Sequence, residues 1–401
     1  MTKRNIHLPA LVLLLTLFTN TKLPADFLYL FPILLLLNLQ NFHINRVVFS
    51  ISCYAIVVTL SSSIFFFDFI SFNSFIDIIL VVIIPALFYT YFQSSQLDVY
   101  DAIDIFYFIC FIFIIYATLQ YFNFIPMDYI LNEVPKETNK LVVLESEPAK
   151  SASRIMLMIT MCEFISLTNF YKRKKVNLIV KCILIALLLL ISSKTGLIFV
   201  TAILLLNLFY NIVFISKRGY IRRVMSSSIL IFAIGWFAYH FEVYRYVEYV
   251  MQYLWLQGSF VSRVNYTLSG AYSLVFVPIG LGLNFNYLTA THFPGVVALT
   301  GLSNNEIIEM LEKVKMHQAG ISANFWIQLM GFFGWLPGSV LIYTAFKKLK
   351  NAVNSRFLGL SFLVILSLSG VAFVPGTFLL LIYFLYMVLK ICAANKIQSN
   401  L

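Results

Sequence analysis

Apolar residues run along this chain in about a dozen separate stretches, and the polar residues between them collect in two long interruptions, at 123–153 and 242–322. A helix that crosses a bilayer needs roughly 20 mostly apolar residues. Stretches of that kind fall near 8–18, 26–40, 47–67, 72–92, 105–122, 154–171, 176–193, 197–215, 225–241, 322–346, 357–374 and 376–391. The pattern predicts an all-α polytopic membrane protein of about 12 transmembrane helices, forming a single integral membrane domain over residues 1–401. The first stretch has a basic start and a short apolar core, as a signal peptide would. No small-residue cleavage site follows Phe18, so it is read as an uncleaved helix.

Composition sharpens this picture. Hydrophobic residues make up 61% of the chain and charged residues 11%, so its chemistry must reside in the two loops or in the few polar groups inside the membrane. Lys and Arg gather in Lys172–Lys175, Lys217–Arg218, Arg222–Arg223 and Lys347–Lys350. The positive-inside rule places these clusters, and both termini, in the cytoplasm. The two long loops are then extracytoplasmic, and the chain is expected to sit in a membrane as a multi-pass protein. The net charge of +11 sits at helix ends, where it meets anionic headgroups, and no nucleic-acid partner is expected. The five cysteines fall in or beside predicted spans. There is no paired Cys/His spacing for a metal and no phosphate-binding glycine loop, so neither a metal nor a nucleotide cofactor is expected.

Both loops carry helical signals. Ser303 and Glu306 have capping-box spacing, and Ile307, Ile308, Leu311 and Val314 recur at helical spacing, which predicts an amphipathic helix over 304–318. The Tyr- and Trp-rich stretch 241–260 predicts a helix lying along the interface. Residues 272–284, with Pro278, Gly280 and Gly282, are too short to span and read as either a re-entrant segment or a buried loop.

Several polar groups are candidates for chemistry. Arg154, Lys194, Arg245 and Arg263 lie near the predicted outer interface, where they would either anchor helices or bind phosphate oxygens. Arg263 lies mid-loop, away from any helix end that needs an anchor. His317 and His292 are potential proton acceptors, or plain loop and helix-end histidines. Asp98, Asp101 and Asp104 share a helix face and read as a cap of the following span rather than a metal site. Glu163 is an ionisable group at membrane depth and requires a partner or a cavity.

Three segments carry a family resemblance. Ser192-Ser193-Lys194-Thr195-Gly196 resembles an S-R-T-G element between two spans. Ser262-Arg263-Val264 with Gly280-Leu281-Gly282 resembles a loop arginine followed by a G-x-G turn. Asn324 through Gly334 resembles an H-N element with glycines. In this order they resemble the O-antigen polymerase and ligase superfamily of bacterial surface-polysaccharide assembly. The likeness covers roughly 190–340, and Ala323 stands where the histidine of the H-N element would be, which favours the polymerase branch.

The resemblance implies a metal-independent glycosyltransferase. Its donor would be a glycan on polyprenyl (undecaprenyl) pyrophosphate, its acceptor a second lipid-linked repeat unit. Arg263 and His317 would be catalytic, and Arg154, Lys194, Arg245, Asn265, Gly280, Gly282 and Asn324 would bind pyrophosphate or sugar. A chain-length regulator is an implied partner. The alternatives are an O-antigen ligase passing the glycan to another acceptor, and a lipid-linked oligosaccharide flippase. A flippase should show two related halves and short loops, and this chain shows neither.

Overall fold

The computed structural model describes residues 7–18, 45–64, 79–95, 97–122, 124, 148–168, 174–191, 258–303, 305–316, 325–353, 359, 361–362, 366 and 375–399. All regular structure among them is helical. In chain order the helices are α1 (His7–Leu15), α2 (Arg46–Ser62), α3 (Ile84–Ser94), α4 (Val99–Tyr121), α5 (Pro148–Ser166) and α6 (Lys174–Leu190). They continue with α7 (Gly258–Leu274), α8 (Phe285–Thr300), α9 (Asn305–Lys315), α10 (Phe325–Phe333), α11 (Trp335–Val353) and α12 (Pro375–Ser399). Short turns extend three of them: 3-10 turns at Thr16–Phe18 and Gly282–Asn284, and a π-helical turn at Ile79–Ile83. The expected spans 26–40, 197–215 and 225–241 lie outside the described residues, as does most of 357–374.

Among the described residues, two helices are long and apolar enough to cross a membrane: Val99–Tyr121 and Thr377–Asn395 within α12. In α4 the exposed positions include Phe108, Phe111, Ile115 and Leu119. These recur every three or four residues opposite a buried face of Ile103, Phe106, Cys110, Phe113 and Ala117. A helix that is apolar all round suits a membrane span or the inside of a large core. Its start is fixed locally. Asp98 is the N-cap, accepting from the Asp101 amide at 2.7 Å, while the Asp101 carboxylate accepts from the Asp98 amide at 3.4 Å. Asp98 and Asp101 thus form a reciprocal cap.

The main core is built around α12, which packs on α3, α4, α5, α11 and the turn after α1. The buried Tyr383 donates to the Ala102 carbonyl of α4 at 2.7 Å and meets Phe92 of α3 edge-on at 4.8 Å. Phe164 of α5 meets Phe384 in the same manner at 5.1 Å. Helices α5 and α6 form a hairpin pinned by polar contacts. Glu163, almost fully buried, receives Lys181 Nζ at 2.9 Å. Asn177 accepts from Tyr107 of α4 at 2.9 Å and donates to the Cys162 carbonyl at 3.1 Å.

A second, smaller core holds the trio α7–α8–α9. Val261, Ala290, Phe293, Val297, Ile307 and Val314 pack together there. The amphipathic helix expected over 304–318 is realised as α9, with Ile307 and Val314 inward and a Glu309–Lys313 pair at 2.6 Å outside. Interhelical packing of α7 and α8 on α10 ties the trio to the rest.

Three boundaries differ from expectation. Helix α5 begins at Pro148 rather than 154, because the polar run Pro-Ala-Lys-Ser-Ala-Ser forms helix without being apolar. The expected span 322–346 is broken into α10 and α11 at Gly334, whose φ is +90°. The stretch 272–284 is helix as far as Leu274, then a loop, then a 3-10 turn.

Candidate functional site

The break at Gly334 and the loop 275–281 are two halves of one clasp. Gly280 has φ +108°, and a Cβ there would lie 2.5 Å from the Phe333 carbonyl carbon. A Cβ on Gly334 would reciprocally strike Ile279 at 2.3 Å. Backbone bonds close the contact: the Leu281 amide donates to the Gly331 carbonyl at 3.1 Å and the Trp335 amide to the Val277 carbonyl at 3.2 Å. Only glycine allows two chains to approach this closely in such conformations.

Helix α2 forms the third side. Tyr54 donates its phenol to the Ile279 carbonyl and lies 3.1 Å from the Phe333 carbonyl. Ser62 donates to the Leu281 carbonyl at 2.8 Å. The Asn284 amide lies within 2.8–3.0 Å of the Thr59 carbonyl and of both the Ser62 and Ser63 hydroxyls. Gly282, with φ +58°, passes so near Thr59 that a Cβ would lie 1.9 Å from its hydroxyl. The G-x-G turn therefore acts as a backbone junction of α2, α7, α8 and α10.

Below this junction lies a cavity of about 330 Å³ between α2, α3, α10, α11 and α12. Apart from Ser52, Tyr89 and Trp326, its walls are Ala, Val, Leu, Ile, Pro and Phe. Phe332 and Phe333, whose backbone the clasp holds, are among them. An almost wholly apolar cavity of this size suits a hydrocarbon chain better than a free sugar or nucleotide.

On the other side of the clasp, one face of α7 carries a polar ladder. Ser269 donates to the Asn265 carbonyl at 2.7 Å, and Ser273 to the Ser269 carbonyl at 2.7 Å. The Ser273 hydroxyl then lies 2.9 Å from Nδ1 of His292 on α8. Tyr272 and Phe276 flank the imidazole, with ring centroids at 5.0 and 5.1 Å. Burial pushes the His292 pKa down from its ordinary value, so the ring is neutral at pH 7.

The candidate residues fall in different places. Arg263 is exposed on α7. It is one face away from the ladder and, at 1.5 Å per residue, roughly 15 Å along the axis from Ser273. Asn265 is fully buried, with its amide donating to the Leu302 carbonyl at 3.1 Å and its oxygen accepting from Thr300 at 2.8 Å. Arg154 is also fully buried, in α5, and Nη1 donates to the Leu17 carbonyl at 3.0 Å. It meets a carbonyl at the C-terminal end of α1, where a cation complements the helix dipole. Lys194, Arg245, His317 and Asn324 lie outside the described residues. Among the described residues no cluster of three His, Cys, Asp or Glu could hold a metal. Ser273 was missed in the sequence, although Asn265, Ser269 and Ser273 recur every four residues and place three polar groups on one helix face.

These features define an all-α protein with membrane-length helices, an apolar cavity, and a polar helical trio joined to it by a glycine clasp. No protein family, no curated protein and no solved structure matches this chain.

Proposed function

We propose that the protein polymerises polyprenyl-pyrophosphate-linked oligosaccharide repeat units at the outer face of a bacterial cytoplasmic membrane. The growing glycan is transferred from its lipid carrier onto a new lipid-linked unit. The observation that carries this reading is the apolar cavity under the clasp. It suits a prenyl chain, and the aromatic and hydroxyl-rich trio beside it suits sugars. The topology follows the basic clusters, which put α7–α9 outside.

In this reading the chain makes about 12 crossings, and no metal or nucleotide takes part. The pyrophosphate leaving group needs positive charge where its own charge develops. Arg263 on α7 is the cation assigned to this, with Lys194 and Arg245 as further candidates. The anomeric carbon would lie between the two ends of α7, with its leaving pyrophosphate turned towards Arg263 and the attacking hydroxyl of the acceptor unit turned towards His292. A chain-length regulator would act on the same outer face.

The test is the size distribution of lipid-linked glycans in cells lacking the protein, complemented by wild type or by Arg263→Ala. Accumulation of single units in the null and the variant, with a ladder restored by wild type, is the expected result. Long chains persisting on the carrier in the null would sink the polymerase reading in favour of a ligase. Single units trapped on the inner leaflet would point to a flippase.

A further inference from the structure

We propose that His292 is the general base that takes the proton from the attacking sugar hydroxyl, with Ser273 as its positioning residue. The inference rests on the glycosyl-transfer reading above and assigns the proton acceptor to a position that the family likeness does not supply.

A hydroxyl has one proton to donate. The Ser269 carbonyl can only accept, and it lies 2.7 Å from the Ser273 hydroxyl, so that proton is committed to it. The Ser273 oxygen can then only accept from His292 Nδ1, 2.9 Å away. This makes Nδ1 the protonated nitrogen and leaves the lone pair on Nε2. Nε2 makes no hydrogen bond to any described residue, and the ring is only half-buried. Ser273 itself is fully enclosed, which rules it out as a nucleophile and leaves it the task of fixing the ring. Tyr272 and Phe276 hold the imidazole on two other sides.

Electrostatics support a neutral ring. The charged residues on the helices packed here are Arg263 on α7 and Glu306, Glu309, Glu312, Lys313 and Lys315 on α9; α8 contributes only the titratable Tyr287, and α10 none. The imidazole forms no ion pair with any described residue, and desolvation keeps its pKa below the ordinary 6.5. A base of this kind is competent at neutral pH and fails in acid.

The step balances. The acceptor oxygen bonds to the anomeric carbon while its proton passes to Nε2. The bond from the anomeric carbon to the phosphate oxygen breaks, and its electron pair leaves with the pyrophosphate. The imidazolium returns its proton to water.

The test uses the full chain in lipid nanodiscs with a polyprenyl-pyrophosphate-linked repeat unit. His292→Gln is expected to lower turnover by about 10²–10⁴-fold, with a much smaller change in KM, and to abolish an acid limb below pH 6.5. Turnover within about threefold of wild type, well below the roughly 10² floor for general-base loss, or loss of the limb in His317→Gln instead, overturns the assignment. Nitrogen-15 imidazole spectra give an independent readout. The Nδ1–H tautomer is expected in wild type and its preference is lost in Ser273→Ala. An Nε2–H or charged ring at pH 7 overturns the proposal whatever the turnover. If wild type fails to elongate the unit, the polymerase reading falls by itself. His292 is then judged by whether its resonances move when the free oligosaccharide is added; resonances that stay put overturn it.

Discussion

In the bundle of α4, α5, α6 and α12, several buried polar side chains pair with one another or with a carbonyl of the bundle. Glu163 meets Lys181, Asn177 meets Tyr107 and the Cys162 carbonyl, and Tyr383 meets the Ala102 carbonyl. In the α7–α8–α9 trio the buried hydroxyls instead form a directed series that ends on His292. The first arrangement cancels polarity so that apolar helices can pack, and the second delivers a lone pair to a partly open surface. Polar groups inside a helical protein thus serve two ends, and what separates them is whether the network closes on itself.

The comparison breaks most sharply at Lys181. Replacing it with Ala leaves the Glu163 carboxylate buried without its cation, which costs about 3–5 kcal/mol. Heating detergent-solubilised protein and recording the monodisperse fraction should show a large fall in the midpoint. Lys181→Met combined with Glu163→Gln should recover most of it. Equal midpoints for the single variant and wild type would show that the pair contributes nothing to the bundle.

The clasp ranks next. Gly282→Ala incurs about 1–2 kcal/mol for its left-handed backbone and about 1–3 kcal/mol for the clash with Thr59. Gly301 has nearly the same φ, +63°, as the cap of α8, but nothing lies within 4 Å of its added Cβ. Gly301→Ala therefore carries only the backbone part, and the difference between the two midpoints isolates the packing of the clasp. Indistinguishable variants would mean that α2 yields to the added methyl.

Local signals were the legible ones. The Asp98 cap, the start of α4 and the buried stripe of α9 each follow from residues within a few positions of one another. Lys181 as the partner of Glu163 was not legible, because a single sequence carries no link between residues on successive helices. The clasp was hidden for a stronger reason. Its partners, Thr59 with Gly282 and Gly280 with Phe333, are far apart in the chain, and 322–346 reads as one apolar stretch until Gly334 is seen against the 275–281 loop. The polar start of α5 escaped because hydropathy registers membrane length and not helix.

The smallest expected effect separates structure from chemistry within the trio. Both ends of the Asn265 side chain are engaged, by Leu302 and Thr300, at the opposite end of the ladder from His292. Asn265→Ala removes the partner of a half-buried carbonyl and weakens the network of the half-buried Thr300 hydroxyl, which costs roughly 1–3 kcal/mol. The lowered midpoint should come with near wild-type glycan polymerisation at permissive temperature, since the Asn265 side chain is fully enclosed and out of reach of a sugar. If polymerisation were lost while the midpoint stayed fixed, Asn265 would belong to the substrate site, and the ladder would be functional along its whole length rather than at its His292 end alone.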